Sequence, residues 1–276
     1  MRPVRHWLDA LSLPAAVGGA PEYAMPSASL LGGDLPPGHL HVWSGPAGAG
    51  KTALLLGLLH DAARRGRVAV LATYDLPAAS LALRLLAMAS GVPLHELEVA
   101  VGPGRVPSEH AMAAARARTR LASLPLYILE ARGMSVASIE DRLVRSPLRP
   151  EVLGVDFLEA VVRPEGRPIE SALAELASLA SRRFVAVVCS ARAAGAMSAD
   201  RVGRIAPTEA LTVTDAATAT DAATVAEAAA STPHPAGRGC VDATLLSNRH
   251  GRSISCRMRV DGPAARLVSS DDATPT

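Results

Sequence analysis

The sequence of 276 residues is poor in cysteine and in aromatic residues. Its three cysteines, Cys189, Cys240 and Cys256, are widely separated and odd in number, so they fit neither a disulfide framework nor a Cys-x-x-Cys metal site. Reduced thiols and a cytoplasmic location are therefore expected. Aromatic residues make up only 3% of the chain. This low content argues against a protein that binds nucleic acid by stacking bases on aromatic rings.

Long apolar runs are also missing. No stretch reaches the roughly 18 residues that a membrane-spanning helix needs. Residues 1–8 carry charge but no long apolar segment follows them, so we expect neither a signal peptide nor a contact with membranes. The formal net charge of +2 does not indicate a strongly basic nucleic-acid-binding face. The length and the hydrophobic content of 49% fit one large α/β domain or two small ones.

Lysine is almost absent, because Lys51 is the only lysine among the 28 Lys and Arg residues. The segment around it reads Gly45, Pro46, Ala47, Gly48, Ala49, Gly50, Lys51 and Thr52. It matches the P-loop pattern G-x-x-x-x-G-K-[ST] in full, with an apolar strand before it and an amphipathic helix after it. In a P-loop, backbone N–H groups and a helix N-terminus hold phosphates, the lysine reaches the β- and γ-phosphates, and the Thr hydroxyl coordinates Mg²⁺. These residues predict a binding site for ATP, or a related nucleoside triphosphate, with Mg²⁺.

Apolar strand-like runs alternate with amphipathic segments along most of the chain. The predicted strands are 39–44, 68–74, 126–129, 152–157 and 184–189, and the predicted helices are 52–65, 77–90, 108–121, 135–145 and 169–182. This alternation argues for an α/β fold with a mostly parallel central sheet and helices on both faces. Three later runs, 241–246, 253–260 and 265–268, predict C-terminal β-hairpins.

The domain organisation follows from changes in composition. We expect an N-terminal lead-in or linker over 1–27, an ATPase domain over 28–268 and a polar tail over 269–276. Within the domain, 206–236 is rich in Ala and Thr and is interpreted as a low-complexity insertion.

Two aspartates end predicted strands and are candidates for the chemistry of hydrolysis. Asp156 closes the run 152–155 and is the candidate Walker B acid, which would act on Mg²⁺; the alternative is a polar residue at an ordinary strand exit. Asp75 follows the strand after the P-loop helix, and we expect that strand to neighbour the P-loop strand and to bring Asp75 near the γ-phosphate. The alternative for Asp75 is an N-cap of the helix that starts at Pro77, and one residue could do both.

The order of these motifs resembles the C-terminal ATPase domain of the DnaB family of replicative helicases, a branch of the RecA-like fold. The resemblance covers roughly residues 28–268. Its most specific part is Tyr74-Asp75-Leu76-Pro77 followed by Leu81-Ala82-Leu83-Arg84-Leu85-Leu86-Ala87. The segment 30–38 looks like the stretch before the family's P-loop strand, and Gly154-Val155-Asp156-Phe157-Leu158-Glu159 is similar to its Walker B strand. Asn248-Arg249-His250-Gly251 resembles the segment that carries the family's arginine finger.

The resemblance implies an ATP-binding DNA helicase or motor ATPase that acts on single-stranded DNA in replication or repair. It implies a homo-oligomer, such as a hexameric ring, in which Arg249 reaches the ATP of the next subunit and Asp75 takes the place of the catalytic glutamate. Asp75 is one methylene shorter than that glutamate. Ser247 and Ala191 stand where the family has Lys and Gln. The alternative is a RecA-fold nucleotide-binding protein with a regulatory or assembly role and weak or no hydrolysis.

Overall fold

The described strands of the computed structural model form one ten-stranded sheet. The structure describes residues 1–16, 35–46, 48–101, 106–162, 166 and 168–192, together with the backbone of four later strands. In chain order the strands are β1 Arg2–Pro3, β2 Leu40–Ser44, β3 Ala69–Thr73, β4 Leu126–Glu130, β5 Val152–Asp156, β6 Ala186–Ala191, β7 Arg201–Pro207, β8 Cys240–Asn248, β9 Ser255–Asp261 and β10 Arg266–Ser269.

The centre of the sheet is parallel, as the alternating pattern predicted. The strand order is β1-β4-β3-β5-β6-β2-β7-β8-β9-β10, and every pairing from β4 across to β7 is parallel. β1 is antiparallel to β4 at one edge. At the other edge β8, β9 and β10 are antiparallel to their neighbours. The predicted C-terminal hairpins are therefore confirmed.

Helices cover both faces of the sheet. They are α1 Val4–Leu8, α2 Lys51–Arg64, α3 Ala78–Ser90, α4 Leu94–Ala100, α5 Ser108–Ser123, α6 Val136–Val144, α7 Leu158–Val162 and α8 Ile169–Arg183. Side chains of α1 to α5 form one core cluster on one face, and those of α6 to α8 form a second cluster on the other. The central strands β2, β3, β5 and β6 are buried along their whole length. This burial explains why they read as continuous apolar runs instead of alternating ones.

The first sixteen residues, part of the predicted lead-in, pack onto the domain. β1 extends the sheet beside β4, and α1 contacts α3 and α5. Val4, Leu8 and Leu11 are buried in the core cluster of that face. Residues 17–34 lie outside the described residues, and the domain boundary at residue 27 stays a prediction. Within the described part of the chain, no helix combines the length and apolar character needed to cross a bilayer.

Besides β1 and α1, three further described elements were not expected from the sequence. α4 and α7 are short, with seven and five residues, so each offers too few positions for a helical period to show. β7 contains a glycine and two arginines, which hide its strand character. From residue 208 onward, the predicted insertion over 206–236 lies outside the described residues, as does Arg249.

Candidate nucleotide-binding site

The P-loop connects the end of β2 to the start of α2, at the carboxyl edge of the parallel strands. Gly48 and Gly50 have φ angles of 78° and 85°, a left-handed conformation that glycine adopts without the steric cost of a Cβ atom. The Lys51 Nζ donates hydrogen bonds to the carbonyl oxygens of Gly45 at 2.8 Å and Pro46 at 2.6 Å. The loop therefore curls around the ammonium group. Ala47 lies outside the described residues.

Burial affects the pKa of Lys51. It lowers the pKa of the ammonium group, while the nearby carboxylates of Glu159 and Asp156 act in the opposite direction. The first turn of α2 contains no acidic residue of its own. The carboxylate near the partial positive charge of this helix N-terminus is that of Asp156, which contacts Thr52. An anion with several oxygens would replace the two carbonyl oxygens as the hydrogen-bond partner of the lysine. It would also accept hydrogen bonds from the backbone N–H groups of this first turn.

Asp156 meets Thr52 at the centre of the site. The Thr52 hydroxyl donates to the Asp156 carboxylate, at 3.1 Å from Oδ2 and 3.3 Å from Oδ1. The Ser190 hydroxyl donates to Oδ1 at 2.5 Å. Burial raises the pKa of Asp156, and the hydrogen bonds from Ser190 and Thr52 oppose that rise. The candidate P-loop threonine and the candidate Walker B acid are thus in direct contact.

The contact between Thr52 and Asp156 depends on how α2 crosses the sheet. β6 lies between β5 and β2, so the two strands that end at these motifs are about 10 Å apart. α2 leaves β2 and packs across β3, β5 and β6. It approaches β5 closely at Gly154, where an added Cβ atom would stand 2.6 Å from Leu59 Cδ1. The absence of a side chain at Gly154 therefore lets the N-terminal turn of α2 reach Asp156.

Comparison with known proteins identifies the family. The family model of the DnaB-like helicase C terminal domain matches residues 29–192, more than half of the chain. The chain belongs to this family. No match was found among curated protein sequences. The matched range contains the P-loop, Asp75 and Asp156 and ends before Arg249.

Two solved structures share the fold of this DnaB-like domain. One, described as a DnaB-like replicative helicase and its interactions with primase, has a TM-score of 0.65 at 13% identity over 85% of this chain. The other, an ATPase domain, has a TM-score of 0.64 at 13% identity and covers 84% of each chain. The present chain spans only 58% of the replicative helicase chain. The predicted RecA-like α/β fold is confirmed by these similarities.

In this DnaB-like domain Asp75 lies just after β3, whose place in the sheet differs from the one expected. The expectation that β3 neighbours the P-loop strand β2 is wrong, because β5 and β6 lie between them. Instead, β3 pairs with β5: Thr73 is the register partner of Asp156, and the Tyr74 N–H donates to the Asp156 carbonyl oxygen at 2.9 Å. Asp75 therefore follows the strand next to β5, which ends at Asp156, and three strand spacings, or about 14 Å, separate β3 from β2.

The capping alternative for Asp75 finds no support in the structure. The first-turn N–H of Ala78 in α3 donates to Glu130 Oε1 at 3.2 Å, so a carboxylate at the end of β4 takes the capping contact. Asp75 is exposed. Its carbonyl oxygen accepts from Arg132 Nη2 at 3.2 Å, and its carboxylate has no hydrogen bond or ion pair within the described residues. No contact with a described residue holds the Asp75 carboxylate in place.

Glu159 and Arg192 were not expected at the site of this DnaB-like domain. Glu159 lies in the first turn of α7, shortly after β5, and its Oε1 accepts from the Arg192 backbone N–H at 2.5 Å. The Arg192 guanidinium lies over the Phe157 ring, 4.4 Å from its centroid. Ser190, near the end of β6, contacts Asp156 through its hydroxyl. A polar residue at the carboxyl end of a predicted parallel strand was the one signal that could have marked Ser190 and Arg192.

The oxygen groups of the site fit Mg²⁺. This ion prefers hard oxygen ligands and is usually bound through one or two carboxylates together with phosphate oxygens. The Thr52 hydroxyl and the Asp156 carboxylate are such ligands and already lie within hydrogen-bonding distance of each other. These two residues would hold the ion, as the sequence predicted.

Proposed function

We propose that this DnaB-like domain binds ATP with Mg²⁺ and hydrolyses it to move along single-stranded DNA, as a helicase or motor ATPase in DNA replication or repair. The observation that carries the proposal is the contact between Thr52 and Asp156 beside the Lys51 ammonium group. It joins the phosphate-binding loop to the acid at the end of a second strand, which a P-loop ATPase needs. Membership of the family supports the assignment to DNA.

The residues would divide the work of binding and hydrolysis. Lys51 exchanges its two carbonyl contacts for oxygens of the β- and γ-phosphates and neutralises part of their charge. Bound Mg²⁺ supplies charge stabilisation at the phosphates. Asp75 orients or activates the water that attacks the γ-phosphorus, and the bond from this phosphorus to the bridging oxygen of the leaving diphosphate breaks. In the proposed homo-oligomeric ring, such as a hexamer, Arg249 of one copy would stabilise the transition-state charge at the site of the next copy.

The test is ATP hydrolysis with and without single-stranded DNA. We compare the wild-type chain with Lys51→Ala and, as a matched loss of positive charge, Arg145→Ala. The Arg145 side chain is 82% exposed. Arg145 directly follows α6, in the connection that leads to the start of β5, at the opposite edge of the sheet from the P-loop. We expect hydrolysis that DNA increases, that Lys51→Ala abolishes and that Arg145→Ala leaves unchanged. Hydrolysis that survives in Lys51→Ala would contradict the proposal.

A second candidate function is a nucleotide-binding regulatory or assembly protein without a motor activity. The exposed Asp75 carboxylate, which nothing described holds towards the phosphates, favours it over rapid hydrolysis. Measuring the mass in solution with and without ATP and Mg²⁺ complements the hydrolysis assay. ATP binding and nucleotide-dependent assembly without hydrolysis would select this function. A monomer under all conditions would contradict the role of Arg249 between copies.

A further inference from the structure

We propose that Arg132 is a positioning residue for ATP hydrolysis: it holds the backbone at Asp75 and so fixes the place from which the Asp75 carboxylate meets the attacking water. The inference rests on the proposed function, since it requires that Asp75 acts on water. Arg132 follows β4, which is the neighbour of β3 on the side away from β5.

Strand β3 leaves the sheet between two neighbours that hold its end. Thr73, the last residue of β3, is the register partner of Asp156 in β5 and of Glu130 in β4. On the side of β5, the Tyr74 N–H donates to the Asp156 carbonyl oxygen at 2.9 Å. On the side of β4, the Ala131 N–H donates to the Thr73 carbonyl oxygen at 2.8 Å. The segments that follow β3 and β4 therefore lie side by side.

A tight turn after β4 presents Arg132 to the segment that carries Asp75. The Met134 N–H donates to the Ala131 carbonyl oxygen at 2.8 Å, which closes a four-residue turn. Gly133, the third residue of this turn, has a φ angle of 75°, which glycine adopts without steric cost. From the second position, Arg132 Nη2 donates to the Asp75 carbonyl oxygen at 3.2 Å. The side chain that holds the Asp75 backbone thus starts from a hydrogen-bonded base.

Further contacts from β4 and its turn lie on both sides of Asp75. The Tyr74 hydroxyl donates to a carbonyl oxygen of the turn at 3.0 Å, and Glu130 Oε1 accepts from the Ala78 N–H at 3.2 Å. Tyr74 and Ala78 are buried, whereas Arg132 and Asp75 are exposed. The loss of a buried contact destabilises the fold, but a substitution at an exposed position usually changes stability little. Arg132 therefore provides the contact that can affect the position of Asp75 without supporting the core.

The backbone position matters more for an aspartate than for a longer acid. Only two side-chain torsions separate the Asp75 carboxylate from its backbone, and the first of them occupies one of three staggered states. Within the described residues, this carboxylate has no hydrogen bond or ion pair, so its place depends on the backbone of the segment. A displacement of about 1 Å can lower a reaction rate by up to about a hundred-fold. Removal of the Arg132 contact should therefore slow hydrolysis and leave nucleotide binding by the P-loop unchanged.

The alternative role for Arg132 is a contact with the phosphate backbone of single-stranded DNA, because exposed arginines supply such contacts in DNA-binding proteins. The two roles predict different results in the absence of DNA. A positioning role affects hydrolysis with and without DNA. A DNA contact leaves hydrolysis without DNA unchanged and weakens the binding of an oligonucleotide.

The experiment measures kcat and KM of the full chain for ATP with Mg²⁺, with and without oligothymidine. The variants are Arg132→Ala and Arg132→Lys, with Arg145→Ala as the matched loss of an exposed arginine. We expect Arg132→Ala to lower kcat roughly three- to ten-fold in both conditions, the range for one exposed hydrogen bond. KM and the dissociation constant for fluorescent ADP should change less than about two-fold, because the contact is not with the nucleotide. Arg132→Lys should recover part of the loss, since lysine keeps a charged donor on a long side chain.

Two further measurements separate positioning from general support of the fold. In Arg132→Ala, amide hydrogen exchange should become several-fold faster, by about the factor lost in kcat, in the peptide that covers 74–78. Exchange in the P-loop peptide should remain as in the wild type. The melting temperature should fall by less than about 2 °C, as expected for an exposed substitution.

Three results would overturn the inference. Unchanged kcat in Arg132→Ala, beside an active wild type, would mean that the contact does not position Asp75. A joint loss of melting temperature, ADP affinity and kcat would mean that Arg132 only supports the structure of the loop. Unchanged hydrolysis without DNA, with weaker binding of a fluorescent oligothymidine, would assign Arg132 to DNA. These results leave the proposed function standing, whereas wild-type protein that hydrolyses no ATP would overturn the proposed function and the inference with it.

Discussion

Gly154 offers a direct test of how packing positions the nucleotide site. The Gly154→Ala substitution places a Cβ atom 2.6 Å from Leu59 Cδ1, 3.2 Å from Leu71 Cδ1 and 3.3 Å from Leu55 Cδ1. Two of these leucines belong to α2 and the third to β3, and all three are buried. The new methyl group therefore cannot be accommodated by moving one exposed side chain. Overpacking of this kind costs about 1–3 kcal/mol of the free energy of unfolding.

The assay is thermal unfolding combined with nucleotide binding. For a domain of this size, each kcal/mol lowers the melting temperature by roughly 2–4 °C. Displacement of α2 away from β5 should also weaken the contact between Thr52 and Asp156, so Mg²⁺-dependent affinity for nucleotide should fall together with stability. Leu59→Val removes the Cδ1 atom that lies closest to the new Cβ. We expect this second change to rescue Gly154→Ala, with a favourable coupling of about 1 kcal/mol in a double-mutant cycle.

Two results would refute the reasoning about Gly154. A change in the free energy of unfolding below about 0.5 kcal/mol would mean that α2 and β5 are not in close contact at this position. Additive effects of Gly154→Ala and Leu59→Val would mean that the cost has another source. In either case the position of Thr52 beside Asp156 would need a different explanation.

Two further substitutions test the groups around the site. Burial raises the folded-state pKa of Asp156 above its unfolded-state pKa. Ionisation of Asp156 therefore lowers the free energy of unfolding as pH rises from the unfolded-state pKa through the folded-state pKa. Asp156→Asn should therefore be more stable than wild type at neutral pH and should lose ATP hydrolysis. In urea titrations, the difference in the free energy of unfolding should disappear as the pH is lowered. A stability difference that does not depend on pH would contradict this prediction. Glu130→Ala removes the carboxylate that caps α3 and should cost about 1 kcal/mol of stability, measured by urea unfolding, with nucleotide affinity unchanged. A loss of nucleotide affinity in Glu130→Ala would show that the cap also shapes the site.

The parallel sheet, the P-loop and Asp156 could be predicted from the sequence because each has a local signal. Buried parallel strands read as short apolar runs, and amphipathic helices between them show their period. The P-loop motif specifies its own residues, and Asp156 is marked by its place after an apolar run. The contact between Thr52 and Asp156 therefore agrees with the roles predicted for both residues.

The strand order and the supporting residues could not be predicted in the same way. The apolar sequences of β2 and β3 do not indicate that two other strands lie between them in the sheet. Those strands, β5 and β6, come later in the chain. The cap supplied by Glu130 and the contact between Glu159 and Arg192 join residues that are far apart in the sequence. Each of these residues is unremarkable locally. Their roles arise only because parallel strands bring their carboxyl ends to one edge of the sheet.

The site is organised unevenly, and this has a consequence for the rate of hydrolysis. The groups expected to bind nucleotide are held by contacts: Lys51 by two carbonyl oxygens, and Asp156 by Thr52 and Ser190. Asp75, the group expected to act on water, is exposed and its carboxylate has no described contact. Catalysis by a charged group depends on its being held in position before the reaction. We therefore expect the isolated chain to bind ATP tightly but to hydrolyse it slowly. DNA or a neighbouring copy should accelerate hydrolysis by ordering Asp75.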